Sequence, residues 1–295
     1  VITSINAGFS QQYGINLKTL TTALVLLWPT LAWASIETAI ALMEDQTNPL
    51  VELSTSKGSI YLELFAEEAP INVSQILALM AGEVELLDEN TGAVFKPRYY
   101  NGMIFHKVIP GYLVQTGSSY LSPVGAPSRL LEDEINAAAL GLASAKVLGP
   151  DAGTNPILNI VNEEGFKTDI LLPLYRAMGI ADAAELIEKQ DDIIARLKTM
   201  SIQDLYELQG VSYIDNRFSH PNLKGTVALA NTGPDTNGPE FFINLNDAPW
   251  LDGKHTVIGS VVEGLDVVEA IGSIEITAVG PSRLTSVIYS ARRVH

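Results

Sequence analysis

The sequence predicts a mainly β fold interrupted by a helical segment, and three observations carry that prediction. First, Val51 to Phe65 forms two alternating apolar–polar runs around Lys57-Gly58, the pattern of a β-hairpin. Second, Lys224 to Gly259 holds three β-rich runs, Gly225–Ala230, Phe241–Ile243 and Thr256–Ile258. The turn signals Asn237-Gly238 and Asp252-Gly253 break them up. Third, Ala184 to Met200 switches to helical spacing. Leu186, Ile187, Ile193, Ile194 and Leu197 fall on one side, with Glu185, Glu188, Lys189, Asp191 and Asp192 elsewhere.

The remaining elements follow in order. Thr19 to Ala34 is apolar and uncharged, follows Lys18, and ends on Ala32-Trp33-Ala34, a small-x-small cleavage pattern. The run is shorter than the ~20 residues of a transmembrane helix, and Pro29 interrupts it. Residues 1–34 are therefore expected to be a signal peptide of a periplasmic or secreted protein, with no stable membrane anchor after cleavage, and 35–49 a short leader. Pro70 opens a segment in which Ile71, Ile76, Leu77 and Met80 recur at roughly helical spacing, with Gly82 as its stop. Glu83 to Lys96 reads as a polar loop. Tyr99 to Gly117 gives two strands around Pro110-Gly111. Ala143 to Phe166 is rich in Gly, Pro and Asn and reads as irregular. Ser201-Ile202-Gln203-Asp204 opens a last helix with a capping-box pattern, ending near Gly210. Leu284, Val287 and Ile288 supply a final strand.

Composition excludes several function classes. The 295 residues carry a formal net charge of −16, which argues against binding the phosphate backbone of nucleic acids. There is no cysteine, hence no disulfide, thiolate metal site or cysteine nucleophile. The histidines at 106, 220, 255 and 295 lack metal-ligand spacing, so neither metal nor cofactor is expected.

Four stretches are far more specific than composition. They are YYNGMIFHKVIPGYLVQTG at 99–117, LEDEIN at 131–136, GTVALANTGPDTNGPEFFINL at 225–245 and WLDGKHTVIG at 250–259. Together, and in this order, they resemble the cyclophilin family of peptidyl-prolyl cis-trans isomerases, of a bacterial, exported kind. The resemblance covers Val51–Leu140 and His220–Val287. It implies a closed antiparallel eight-stranded barrel capped by helices, here a domain over 50–295 with a helical insertion at 143–215. On its own that insertion reads either as a buttress packed on the barrel or as an arm that docks a partner.

The resemblance also implies a site for proline-containing polypeptides. Phe242 would stack on the proline ring, in a pocket lined by Tyr112, Leu113, Leu251 and His255, with Phe105 behind. Gln115, Ala230 and Asn231 would hold the peptide backbone, and Trp250 would form the rim. Without the family, Phe105, Leu113 and Phe242 read as core, Trp250 as packing and His255 as a structural histidine. This chain departs from the family at three positions. The catalytic arginine falls on Lys107, which keeps the charge and loses the planar fork. A pocket glutamine falls on Glu240, which only accepts hydrogen bonds when ionised. Thr116 replaces a glycine. Lys107, Gln115 and Phe242 are the expected catalytic residues, with Glu240 beside the substrate. The implied activity is isomerisation of X–Pro bonds in exported proteins. The alternative is a proline-peptide-binding chaperone module with little isomerase activity.

Overall fold

The structure is a computed structural model that describes residues 36–87, 91–118, 127, 129–151, 153–274 and 286–295. The expected signal peptide and Leu284 lie outside the described residues.

Eight strands form one sheet: β1 (Leu50–Thr55), β2 (Gly58–Leu64), β5 (Lys107–Ile109), β6 (Leu113–Thr116), β7 (Thr226–Leu229), β8 (Phe241–Asn244), β9 (Val257–Glu263) and β10 (Ile288–Arg293). A separate two-stranded ladder, β3 (Leu86–Leu87) with β4 (Val94–Phe95), stands where the sequence suggested only a loop. The large sheet is antiparallel throughout, in the order β10-β1-β2-β9-β7-β8-β6-β5. Its register shifts between Ser54 and Thr55, between Tyr61 and Leu62, and between Val227 and Ala228. Such irregularities increase local twist and curl the sheet.

The sheet does not close into the expected barrel. The sheet is a curled, open half-barrel with β10 and β5 as its two edges. The edge strand β5 is only three residues long. Among the described residues the chain just before it meets the far edge at an isolated bridge, Ile104 with Val287, and through backbone bonds of Gly102, Met103 and Phe105 to Ser286 and Ile288, rather than through a continuous ladder.

Side-chain alternation splits the sheet into two faces. Ile60, Leu62 and Leu64 on β2, Val114 on β6, Val227 and Leu229 on β7, and Phe241 and Ile243 on β8 all enter the main core. Two helices cover that core. Helix α2 (Pro70–Ala81) contributes Val73, Ile76, Leu79 and Met80. It begins at Pro70, whose missing N–H costs nothing in the first turn. The Glu134 carboxylate accepts from the Ile71 and Asn72 N–H groups at 3.3 and 2.9 Å, which satisfies donors the helix itself leaves free. The helix ends at Gly82, whose left-handed backbone lets its N–H bond the Ala78 and Leu79 carbonyls. Helix α8 (Leu265–Gly272) adds Val268 and Ile271. The leader folds into α1 (Ile36–Leu42).

Segment 143–215 has a core of its own. It contains α3 (Glu163–Gly165), a π-helical turn over Phe166–Leu171, α4 (Leu172–Ala177), α5 (Ala183–Glu188), α6 (Gln190–Thr199) and α7 (Ile202–Leu208). Ile170, Leu174, Ile193, Leu197, Leu205 and Tyr206 pack together with Ala137 and Leu142 from the chain just before it. The capping box forms as its sequence implies: the Ser201 hydroxyl accepts from Asp204 N–H at 3.0 Å, and the Asp204 carboxylate from Ser201 N–H at 2.8 Å. The single helix expected over 184–200 is two helices, broken at Lys189 (φ −96°, ψ 11°). The break redirects the apolar stripe. Ile193 and Leu197 are buried, while Ile187 and Ile194 are exposed.

Segment 143–215 meets the sheet at Gly253. A side chain there would come within 2.5 Å of Leu142 Cδ1 and 3.1 Å of the Tyr206 ring. The Tyr213 hydroxyl donates to the Gly253 carbonyl at 3.0 Å. Glycine at 253 thus permits the close packing as well as the positive φ of 79°.

Candidate active site

The other face of the sheet carries a row of side chains. Lys107 stands opposite Gln115, Gln115 opposite Phe242, and Phe242 opposite Ala228. Directly opposed residues on neighbouring strands share a face and touch. A cation, an amide and an aromatic ring therefore stand side by side although they come from three strands.

An apolar floor surrounds Phe242. Phe65, Leu113, Ala228 and Val257 pack with it, and Tyr112, Ala230 and Leu251 flank them. Phe105 lies in the main core, behind this face. Phe242 is 3% exposed, so its ring is the buried base of the floor rather than an open wall. Two ring contacts set the rim. The His255 ring meets Phe242 edge-on, with centroids 5.4 Å apart. The Trp250 indole N–H donates to the Tyr112 hydroxyl at 3.0 Å, with the rings 5.7 Å apart.

The polar groups have defined states. His255 Nδ1 lies 2.9 Å from the Leu229 carbonyl. A carbonyl only accepts, so Nδ1 carries the proton and Nε2 keeps its lone pair. Burial lowers the His255 pKa, the Leu229 bond opposes this, and the charges of Lys254 and Lys107 lower it further. The imidazole is therefore neutral at pH 7.

Glu240 organises Gln115. The Gln115 amide donates to Glu240 Oε2 at 2.6 Å, which orients the amide oxygen away from the carboxylate. His106 Nε2 lies 3.6 Å from the same oxygen. The His106 ring, and after it the Gln115 amide, hold the Glu240 carboxyl below its ordinary pKa, against the effect of burial. Glu240 makes no ion pair with Lys107. Lys107 is exposed and has no ion pair among the described residues.

Backbone groups complete the site. Ala230 N–H bonds the Glu240 carbonyl at 2.9 Å. The Asn231 side chain donates to the Lys254 carbonyl at 2.8 Å. The backbone N–H and C=O of Asn231 have no partner among the described residues, so an extended peptide can pair with them. Thr116 points into the other face, where its hydroxyl donates to the Ile104 carbonyl at 3.0 Å. Its replacement of a glycine is a packing change, away from the row. Sequence reasoning missed Phe65 and His106. Both stand next to recognised features, but only the sheet register brings them to Phe242 and Glu240.

The cyclophilin-type peptidyl-prolyl cis-trans isomerase family model matches residues 50–292. The chain belongs to the cyclophilin family. The peptidyl-prolyl cis-trans isomerase ppi1 of Schizosaccharomyces pombe is 28% identical over 224 residues, 76% of this chain and 85% of that protein. Peptidyl-prolyl cis-trans isomerase B of Streptomyces anulatus is 25% identical over 223 residues, 75% of this chain and 82% of that protein. A solved cyclophilin-type isomerase of Cryptosporidium parvum overlays with a TM-score of 0.45 at 18% identity, covering 84% of this chain and 98% of that one. In this cyclophilin the Phe242 end of the row packs with Leu113, Ala228 and Val257, and Tyr112, Ala230 and Leu251 flank it.

Proposed function

We propose that the chain isomerises X–Pro peptide bonds in exported polypeptides, in the periplasm or outside the cell. The observation that carries the reading is the row Lys107–Gln115–Phe242 above an apolar floor. Amide resonance sets a barrier of about 18–20 kcal/mol to rotation. Lowering it requires no nucleophile and no metal, only better binding of the twisted amide than of the planar one. The proline ring seats against Phe242, Leu113 and Leu251. The peptide backbone pairs with Asn231. As resonance is lost, the prolyl nitrogen becomes pyramidal and gains a lone pair, which the Lys107 ammonium stabilises. Gln115, held by Glu240, keeps a polar group in a fixed orientation next to it. Preorganised charge of this kind does its work without rearranging.

Lys107 makes one compact contact where a guanidinium makes several, so the rate is expected to be lower than with arginine at this position. Export rests on the uncharged run from Thr19 and the Ala32-Trp33-Ala34 pattern.

The test is cis-to-trans exchange of a proline peptide with the 35–295 protein. Acceleration that vanishes in Lys107→Ala is the expected result. Tight binding of proline peptides without acceleration would overturn the reading in favour of a binding module. N-terminal sequencing of the exported protein checks the leader, with Ser35 as the expected first residue.

A further inference from the structure

Beside the row lies a cleft of about 540 Å³ between the sheet loops and segment 143–215. Asn231, Lys254 and His255 line it on the sheet side, and Ile170, Arg176 and Tyr206 on the other. His255 thus borders both the apolar floor, through its contact with Phe242, and the cleft. The cleft is therefore next to any polypeptide seated at the row.

The charges in the cleft are unequal in how they are used. The Lys254 ammonium lies 4.4 Å above the centroid of the Tyr206 ring. It makes no ion pair among the described residues, and burial lowers its pKa despite the opposing charge of Asp169. Arg176 also makes no ion pair among the described residues. The two acids that line the cleft accept hydrogen bonds from other groups and make no ion pair among the described residues. Asp169 accepts from the Thr168 hydroxyl at 2.9 Å, and Asp133 accepts from Asp235 N–H at 3.0 Å and from the Asn237 amide at 2.9 Å. Lys254 and Arg176 thus line the cleft without an ion pair among the described residues, in a chain whose formal net charge is −16.

We infer that this cleft binds the stretch of the substrate polypeptide that flanks the proline, and selects an acidic side chain there through Lys254 and Arg176. The inference rests on the isomerase reading for its substrate. Its source of specificity is separate, because segment 143–215 builds one wall. A partly desolvated ammonium with no carboxylate partner gains more from a bound carboxylate than a solvated one does. The aromatic ring beneath it holds the charge in place while the site is empty.

A set of proline peptides tests this, with Glu, Gln or Lys placed in turn at each of four positions on either side of the proline. Affinity by calorimetry and kcat/KM are measured on the 35–295 protein, on Lys254→Gln and on Arg176→Gln. At one or two positions Glu is expected to bind roughly fivefold or more tightly than Gln, with Lys weakest. The preference should shrink in each variant and with added salt. The Glu-to-Gln ratio is the readout, since a merely structural role for either residue would weaken all peptides alike. Equal affinities at every position, or an unchanged ratio in both variants, would overturn the inference. Binding selectivity without turnover would keep the cleft and remove the isomerase reading. Turnover without selectivity would do the reverse.

Discussion

The two cores of this molecule are built in opposite ways. The sheet core gathers Val51, Phe105, Val227, Phe241 and Ala291 from nearly the whole chain. The core of segment 143–215 is local, drawn from Ala137 to Val211. A strand shows alternate residues to opposite faces, so the sheet spends one face on its core and leaves the other for the Lys107–Gln115–Phe242 row. Helices bury a stripe and leave the rest of their surface free, so the segment packs on itself and still offers a wall to the cleft.

Adjacent phenylalanines give the sharpest break. Phe241 faces the main core and Phe242 the apolar floor. Phe241→Ala should lose about 3–5 kcal/mol of stability, read from chemical denaturation, while the folded fraction still binds proline peptides. Phe242 is also buried, so Phe242→Ala should approach the same loss. It alone should abolish peptide binding. Equal binding by the two variants would erase the distinction between the faces.

Lys107 comes next. Lys107→Ala should lower kcat/KM by about 10²–10³, the usual effect of removing one preorganised donor. Because the side chain is exposed, the melting temperature should not change. Lys107→Arg should raise the rate by roughly tenfold on the same scale. Undiminished activity in Lys107→Ala would reduce the residue to a solvated lysine.

Leu205→Ala tests the second core. The loss should be about 2–5 kcal/mol, and hydrogen exchange shows where it falls. Segment 143–215 borrows Ala137 and Leu142 and docks on Gly253. The isolated fragment 143–215 is therefore expected not to melt cooperatively. A sharp thermal transition in that fragment would make it a domain in its own right.

The smallest effect is that of Glu240 on stability against pH. Its contacts with His106 and Gln115 hold its folded-state pKa below the ordinary glutamate value of 4.5. Its contribution is therefore complete above about pH 4.5 and is lost as pH falls through the folded-state value. Glu240→Gln should flatten the acid limb of the stability profile. An unchanged limb would mean that the contacts of Glu240 with His106 and Gln115 are not made in solution.

Much of this was legible because the signals are local. The Lys57-Gly58 hairpin, the Pro70 start and Gly82 stop of α2, and the Ser201–Asp204 capping box depend on a few consecutive residues, and they form as the sequence implies. The break at Lys189 was not legible. An unbroken apolar stripe fits one helix or two, and packing against Leu174 and Leu205 decides between them.

By itself the sequence determined the alternation that divides each strand between two faces, the turn chemistry between strands, and the motifs that carry the family resemblance. Only the tertiary structure decided that the sheet stays open, that Gln115 reaches Glu240 across 125 positions, and that Lys254 faces a cleft walled by a distant segment. The reason is physical. Local backbone preference acts over a few residues, whereas these outcomes depend on strand register and on which surfaces exclude water together, and no short stretch of sequence contains either.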